Sequence, residues 1–96
     1  MNIKKLMKQA QQMQEQMQTQ LKEMEVEGSA GGGMVKVTIN GHKDVLKVVL
    51  NPEILKPEEK EMVEDLVLAA FKDAQEKVDQ HMQGMMGALT GGMGLG

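Results

Sequence analysis

The chain has 96 residues, a formal net charge of −3 at pH 7, no cysteine and one aromatic residue. This length predicts one domain with a small core, and the lack of cysteine excludes disulfides and zinc–thiolate sites. The acidic balance argues against a uniformly basic nucleic-acid binder. The first residues are polar and no apolar run reaches the length of a membrane span, so the sequence predicts a soluble, cytoplasmic protein that does not associate with membranes.

The first predicted element is a helix over residues 2 to about 25, with Asn2 as its N-cap. Its apolar residues recur at alternating spacings of three and four, as in a coiled-coil seam that is interrupted at Gln20; they are Ile3, Leu6, Ala10, Met13, Met17 and Met24. A small sheet cannot cover so long a helix, so part of it should project or pair with another helix. Its glutamine-rich face indicates either a solvated surface or a polar arm that contacts a partner.

Three strands in meander order are predicted next, over residues 26–30, 34–40 and 44–50. The second strand alternates apolar and polar residues, which indicates one buried face. Asn40-Gly41 favours a turn because both residues tolerate positive φ. The third strand is apolar on both faces, which suits a central strand better than an edge. The residues expected in the core or in a dimer interface are Val35, Val37, Ile39, Leu46, Val48 and Leu50.

The second predicted helix begins at or near Pro57 and ends near residues 82–84. Residues 84–96 are rich in glycine and methionine and are expected to be disordered. The predicted fold class is therefore α+β, with a long helix at each end of a three-stranded antiparallel meander, in a single domain over residues 1–83. Because the core is small and the helices are amphipathic, the pattern favours an oligomer.

No pattern in the sequence predicts catalysis or a metal site. The hydroxyl residues do not lie in a nucleophile motif. His42 and His81 are far apart in the sequence, and the methionines near His81 have no cysteine beside them, which argues against copper. We therefore predict a protein that is not an enzyme and that uses no cofactor, metal or small-molecule substrate.

The most specific patterns are residues 6–15, LMKQAQQMQE, and residues 26–41, VEGSAGGGMVKVTING, with shorter matches at 51–55 and 65–77. Together they resemble the YbaB/EbfC family of bacterial nucleoid-associated proteins over essentially the whole chain. The resemblance implies a homodimer whose sheets join at the centre and whose helices project like tweezers. It also implies binding to double-stranded DNA with low sequence specificity, a place in the nucleoid, and an influence on nucleoid organisation and gene expression.

The charge distribution indicates which residues would contact DNA. Lys4, Lys5 and Lys8 begin the first helix with no acid among them, and Lys22 lies further along. In a dimer this patch appears twice. The lysines would neutralise DNA phosphates, and the glutamines would add hydrogen bonds to the backbone or the groove edges. Each lysine has the alternative of being a solubilising surface charge. The chain has no arginine, so bidentate recognition of guanine is excluded.

Two other functions remain open from the sequence. The helical arms of a non-catalytic dimeric scaffold would bind a protein partner, and methionine-rich stripes suit such adaptable surfaces. Binding to RNA would be separated from binding to DNA by competition between the two nucleic acids.

Overall fold

The computed structural model describes residues 2–92 of the chain, and side-chain surroundings as far as Gly87. The elements follow in the order α1 (Ile3–Glu23), β1 (Val26–Ala30), β2 (Val35–Ile39), β3 (Val45–Leu50) and α2 (Lys60–Gly92). Two short 3-10 turns, Pro52–Ile54 and Pro57–Glu59, connect β3 to α2. The predicted α+β class and the order of helices and strands are confirmed.

The three strands form one antiparallel sheet in the order β1-β2-β3. Val35 lies opposite Ala30 on one side and Leu50 on the other, and Val37 lies between Gly28 and Val48. Strand β2 is therefore central and β3 is an edge strand. The expectation that β3 is central is wrong for the single chain, because no described residue of the chain pairs with its outer edge.

The core lies between the sheet and α2, which crosses β1 and β2. It is formed by buried residues of β2, α2 and the turn after β3: Val35, Val37, Ile39, Ile54, Ala70, Ala74 and Val78. A Cβ atom at Gly28 would overlap the backbone of Ala70 and of Ala74. Glycine at this position therefore allows the helix to lie directly on β1.

Helix α1 stands largely away from this core. None of its residues, all of which are described, is buried. It is attached near its end, where the Gly41 N–H donates a hydrogen bond of 2.7 Å to the Leu21 carbonyl. The predicted cap is confirmed, because Asn2 Oδ1 accepts from the Lys5 N–H at 3.3 Å. The radius of gyration is 18.9 Å, against about 12 Å for a compact chain of this length, so the helix projects.

The loop between β2 and β3 is built differently from the predicted turn. Positive φ occurs at Lys43, at 66°, and not at Asn40 or Gly41. Asn40 is buried, and its Oδ1 accepts hydrogen bonds from the N–H groups of His42 and Asp44. The polar side chain of Asn40 therefore organises the loop, and Gly41 is needed because a Cβ there would lie 2.8 Å from the Leu21 carbonyl oxygen.

The predicted end of the second helix is also wrong, since α2 continues to Gly92 without a break at residue 83. A glycine costs a helix about 1 kcal/mol relative to alanine but, unlike proline, leaves its hydrogen bonds intact. The segment contains no proline. Residues 93–96 of the predicted disordered tail lie outside the described residues.

Candidate functional site

Three of the four lysines singled out in the sequence share one face of α1. Successive residues of a helix are rotated by about 100°, which brings Lys4, Lys8 and Lys22 into line and places Lys5 to one side. Glu15 lies in the same line, between Lys8 and Lys22. The apolar seam is on the opposite face, so the exposed helix separates a charged surface from an apolar one.

The hairpin loop adds a residue to the base of this charged face. A polar recess of about 420 Å³ is lined there by Glu15, Gln18, Thr19, Lys22 and His42. No sequence motif around His42 predicts a role for it at this position. Its place beside Lys22 depends on the contact between Gly41 and Leu21, which no local pattern reveals.

The lysines of α1 differ from most of those in the body of the molecule. Lys43 pairs with Asp79 at 2.9 Å and Lys77 pairs with Asp73 at 3.1 Å. Lys36 and Lys60 have acidic neighbours at 3.9 Å. Within the described residues, none of the four α1 lysines has a carboxylate within ion-pair distance. Their positive charge is therefore available to a partner.

The outer edge of β1 is closed by two side chains of α2. The Ser29 N–H donates to Asp73 Oδ2 at 3.0 Å, and Lys77 Nζ donates to the Glu27 carbonyl at 3.0 Å. The hydrogen bond from the Ser29 N–H, and after it the one from Lys77, lowers the pKa of Asp73 below that of an ordinary aspartate. Because these backbone groups already have partners, another strand cannot pair readily with this edge.

The outer edge of β3, by contrast, is open and apolar. Val45, Leu46, Val48 and Val49 are each between 42% and 51% exposed. Val48 pairs with the buried Val37, so its side chain lies on the sheet face that packs against α2. The helix packs mainly on β1 and β2 and leaves Val48 exposed. The structure thus leaves most of this edge strand exposed, although Leu50 at its end packs against the core.

The six predicted core or interface residues fall into two groups. Val35, Val37 and Ile39 are fully buried inside the chain. Leu50 is half-buried, and Leu46 and Val48 are exposed on the open strand. The first three therefore form the core of the single chain, whereas the last three lie at its margin or on its surface.

The described residues contain no group of three or more histidines, aspartates or glutamates that could hold a metal ion. Over the same part of the chain, no helix combines the length and apolar character that a membrane crossing requires.

Comparison with a family model and comparison with individual relatives identify the same family. A model of the YbaB/EbfC DNA-binding family matches residues 1–93. A nucleoid-associated protein of Xanthomonas euvesicatoria pv. vesicatoria is 50% identical over 97 residues, covering 98% of this chain and 90% of that protein. Another, from Agathobacter rectalis, is 47% identical over 98 residues, covering 99% of this chain and 87% of the relative.

Among solved structures, the crystal structure of an uncharacterized protein, HP0035 from Helicobacter pylori, has a similar fold. The TM-score is 0.66 at 22% sequence identity, and the match covers 84% of this chain and 94% of that one. The match of the family model to nearly the whole chain, together with relatives of about 50% identity, confirms the resemblance seen in the sequence. The chain belongs to the YbaB/EbfC DNA-binding family.

Proposed function

We propose that this protein is a nucleoid-associated protein that binds double-stranded DNA as a homodimer, through the lysine face of α1. The main support is that the chain belongs to a DNA-binding family and projects a helix. The lysines of this helix have no acidic partner within the described residues. Lys4 and Lys22 are separated by about 27 Å along the helix, and B-DNA rises 3.4 Å per base pair. One arm therefore has the length to follow about eight base pairs.

The chemistry of this face supports low sequence specificity. Lysine ammonium groups bind phosphates as point charges, and phosphate contacts carry no sequence information directly. Glutamine amides reach either backbone or base edges, but the chain has no arginine for bidentate guanine contacts. Binding of this kind would influence nucleoid organisation and gene expression across many sites, and it places the protein in the cytoplasmic nucleoid.

The proposed homodimer forms through β3. Pairing of two β3 edges would satisfy their free backbone groups and cover Val45, Leu46, Val48 and Val49. The β1 edge is closed by Asp73 and Lys77, so β3 is the edge that a second copy can use. The dimer would make β3 central in a continuous sheet, as its apolar faces require, and would present two α1 arms.

Fluorescence anisotropy of a labelled 30-base-pair duplex, measured at several salt concentrations, tests the DNA contacts. Six phosphates neutralised by three lysines on each of two arms give a slope of log K against log salt of about −5. In Lys4→Glu/Lys8→Glu, affinity should fall strongly and the slope should become shallower. Lys56→Glu/Lys60→Glu, an equal charge change at two exposed residues outside α1, should change affinity little.

A non-catalytic scaffold that binds a protein partner is the second candidate, because a groove of about 350 Å³ between α1 and α2 is lined largely by methionines. The same titration separates the two functions. A folded dimer that does not bind the duplex at low salt would exclude the DNA function and favour the scaffold. Equal loss of affinity in the two lysine variants would instead show that DNA binds without preference for the α1 face.

A further inference from the structure

The apolar seam of α1 is exposed along most of its length. The exposed fraction of each residue is 67% for Ile3, 49% for Leu6, 70% for Met13 and 50% for Met17. They occupy the a and d positions of a heptad pattern, which buries its apolar residues against another helix. Nothing in the described part of the chain covers the first half of this seam, and a helix that stays this exposed is marginal in water.

The second half of the seam borders a groove. Met17 and Leu21 of α1, with Met24 just after the helix, face Met82 and Met85 of α2 across a cavity of about 350 Å³. This groove lies at the end of α1 that joins the sheet, whereas the uncovered residues Ile3 and Leu6 lie at its free end. One half of the helix therefore offers an apolar groove, and the other half offers apolar side chains without a groove.

We propose that α1 pairs in antiparallel orientation with α1 of a second copy, so that the free end of each helix fills the groove of the other. In an antiparallel pair, the numbers of two facing residues have a constant sum. A sum of about 27 brings apolar seam residues together and places Ile3 beside Met24 and Ala10 beside Met17. Met13 then meets Met13 of the second copy next to the two-fold axis. Such an isologous contact closes on itself and leaves neither groove empty.

Charge selects the antiparallel orientation. The free end of α1 carries Lys4, Lys5 and Lys8, while Glu23 and Glu25 lie at the other end. Antiparallel pairing places the lysine-rich end of one helix near the acidic end of the other, where Lys22, Glu23 and Glu25 together carry −1, and aligns the helix dipoles favourably. Parallel pairing places the two lysine-rich ends together. Exposed charges contribute little energy, so they set the direction of pairing while the apolar seam supplies the affinity.

This contact uses surfaces that the proposed function leaves free. The lysine face is on the opposite side of α1, and the β3 edge lies on the sheet. A protein that uses both β3 and the seam would join one dimer to the next and bring two DNA segments together. The inference does not require DNA binding, so either proposal can fail while the other stands.

Disulfide cross-linking tests the contact directly, because the natural chain has no cysteine. A disulfide requires the two Cβ atoms to approach to about 4 Å. Met13→Cys in the full chain should therefore shift from the 10.6 kDa monomer band to twice that mass under mild oxidation, in a non-reducing gel. The double variant Ile3→Cys/Met24→Cys should cross-link as well.

Glu15→Cys is the matched control, since it lies on the same helix but on the lysine face. It should remain a monomer band under the same oxidation. Equal cross-linking of Met13→Cys and Glu15→Cys would show random collision and overturn the proposal, as would no cross-linking of Met13→Cys.

A second variant tests the contact without a disulfide. Met13→Glu introduces two carboxylates at the two-fold axis and should lower the mass of the assembly in light scattering. Its affinity for the duplex at low protein concentration should change much less than that of Lys4→Glu/Lys8→Glu. An unchanged assembly mass in Met13→Glu would contradict the seam contact even if DNA binding is intact.

Discussion

The Glu15 carboxylate shares a face of α1 with the lysines and would repel the DNA phosphates that they attract. We therefore expect Glu15→Gln to bind DNA more tightly. Its carboxylate lies between Lys8 and Lys22 and is exposed to solvent. At about 7 Å from a phosphate, in a medium close to water, two unit charges repel by about 0.6 kcal/mol. A dimer has two such residues, so the total is about 1.2 kcal/mol, or about a sevenfold change in affinity.

The assay is a competition titration of the duplex at low salt, where screening is weakest. The gain should shrink as salt rises, so the slope of log K against log salt should be slightly steeper for Glu15→Gln than for the wild type. Glu58→Gln provides the same charge change at an exposed position outside α1. Equal affinity of wild type and Glu15→Gln, or an equal gain in both variants, would refute the assignment of DNA to the lysine face.

Three further predictions concern the body of the molecule. Gly28→Ala should lower the free energy of unfolding by at least about 1–3 kcal/mol in urea titration, because its Cβ overlaps the α2 backbone; Gly84→Ala, with open space around it, should instead stabilise α2. In a chain whose α1 seam carries Met13→Glu, Val48→Lys should convert the proposed dimer to monomers in light scattering, since a lysine on an edge strand opposes pairing; a retained dimer mass would exclude β3. The pKa of Asp73 is lowered in the folded state, so its stabilising contribution is present above the unfolded value of 3.8 and is lost as the pH falls through the folded value. The urea midpoint should therefore fall less on acidification in Asp73→Asn than in the wild type.

Local patterns were sufficient to predict the elements of the fold. The alternation around Val37 gave β2 and its buried face, and Asn2 marked the start of α1. The glycine content predicts an end of α2 near residue 83. This prediction is wrong, because no proline breaks the helix before Gly92. The turn at Asn40 was predicted from its preference for positive φ, but the structure uses its side chain as a hydrogen-bond acceptor instead.

The arrangement of the candidate site depended on contacts between distant residues. Helical periodicity is sufficient to align Lys4, Lys8 and Lys22, but it does not predict that His42 lies beside Lys22. Nor does the sequence show which sheet edge is closed, because the bond from Ser29 to Asp73 joins residues that are far apart in the chain. These contacts depend on how α1 and α2 are placed around the sheet.

The distribution of charge explains how a chain with a net charge of −3 can contact DNA. Helix α1 has four lysines and two glutamates, so it carries +2 and the remainder of the chain carries −5. In the body, acids such as Asp73 and Asp79 hold lysines in ion pairs. A duplex that approaches the proposed dimer would therefore be attracted to the arms and repelled by the body. This asymmetry would orient the DNA along α1 and away from the acidic body.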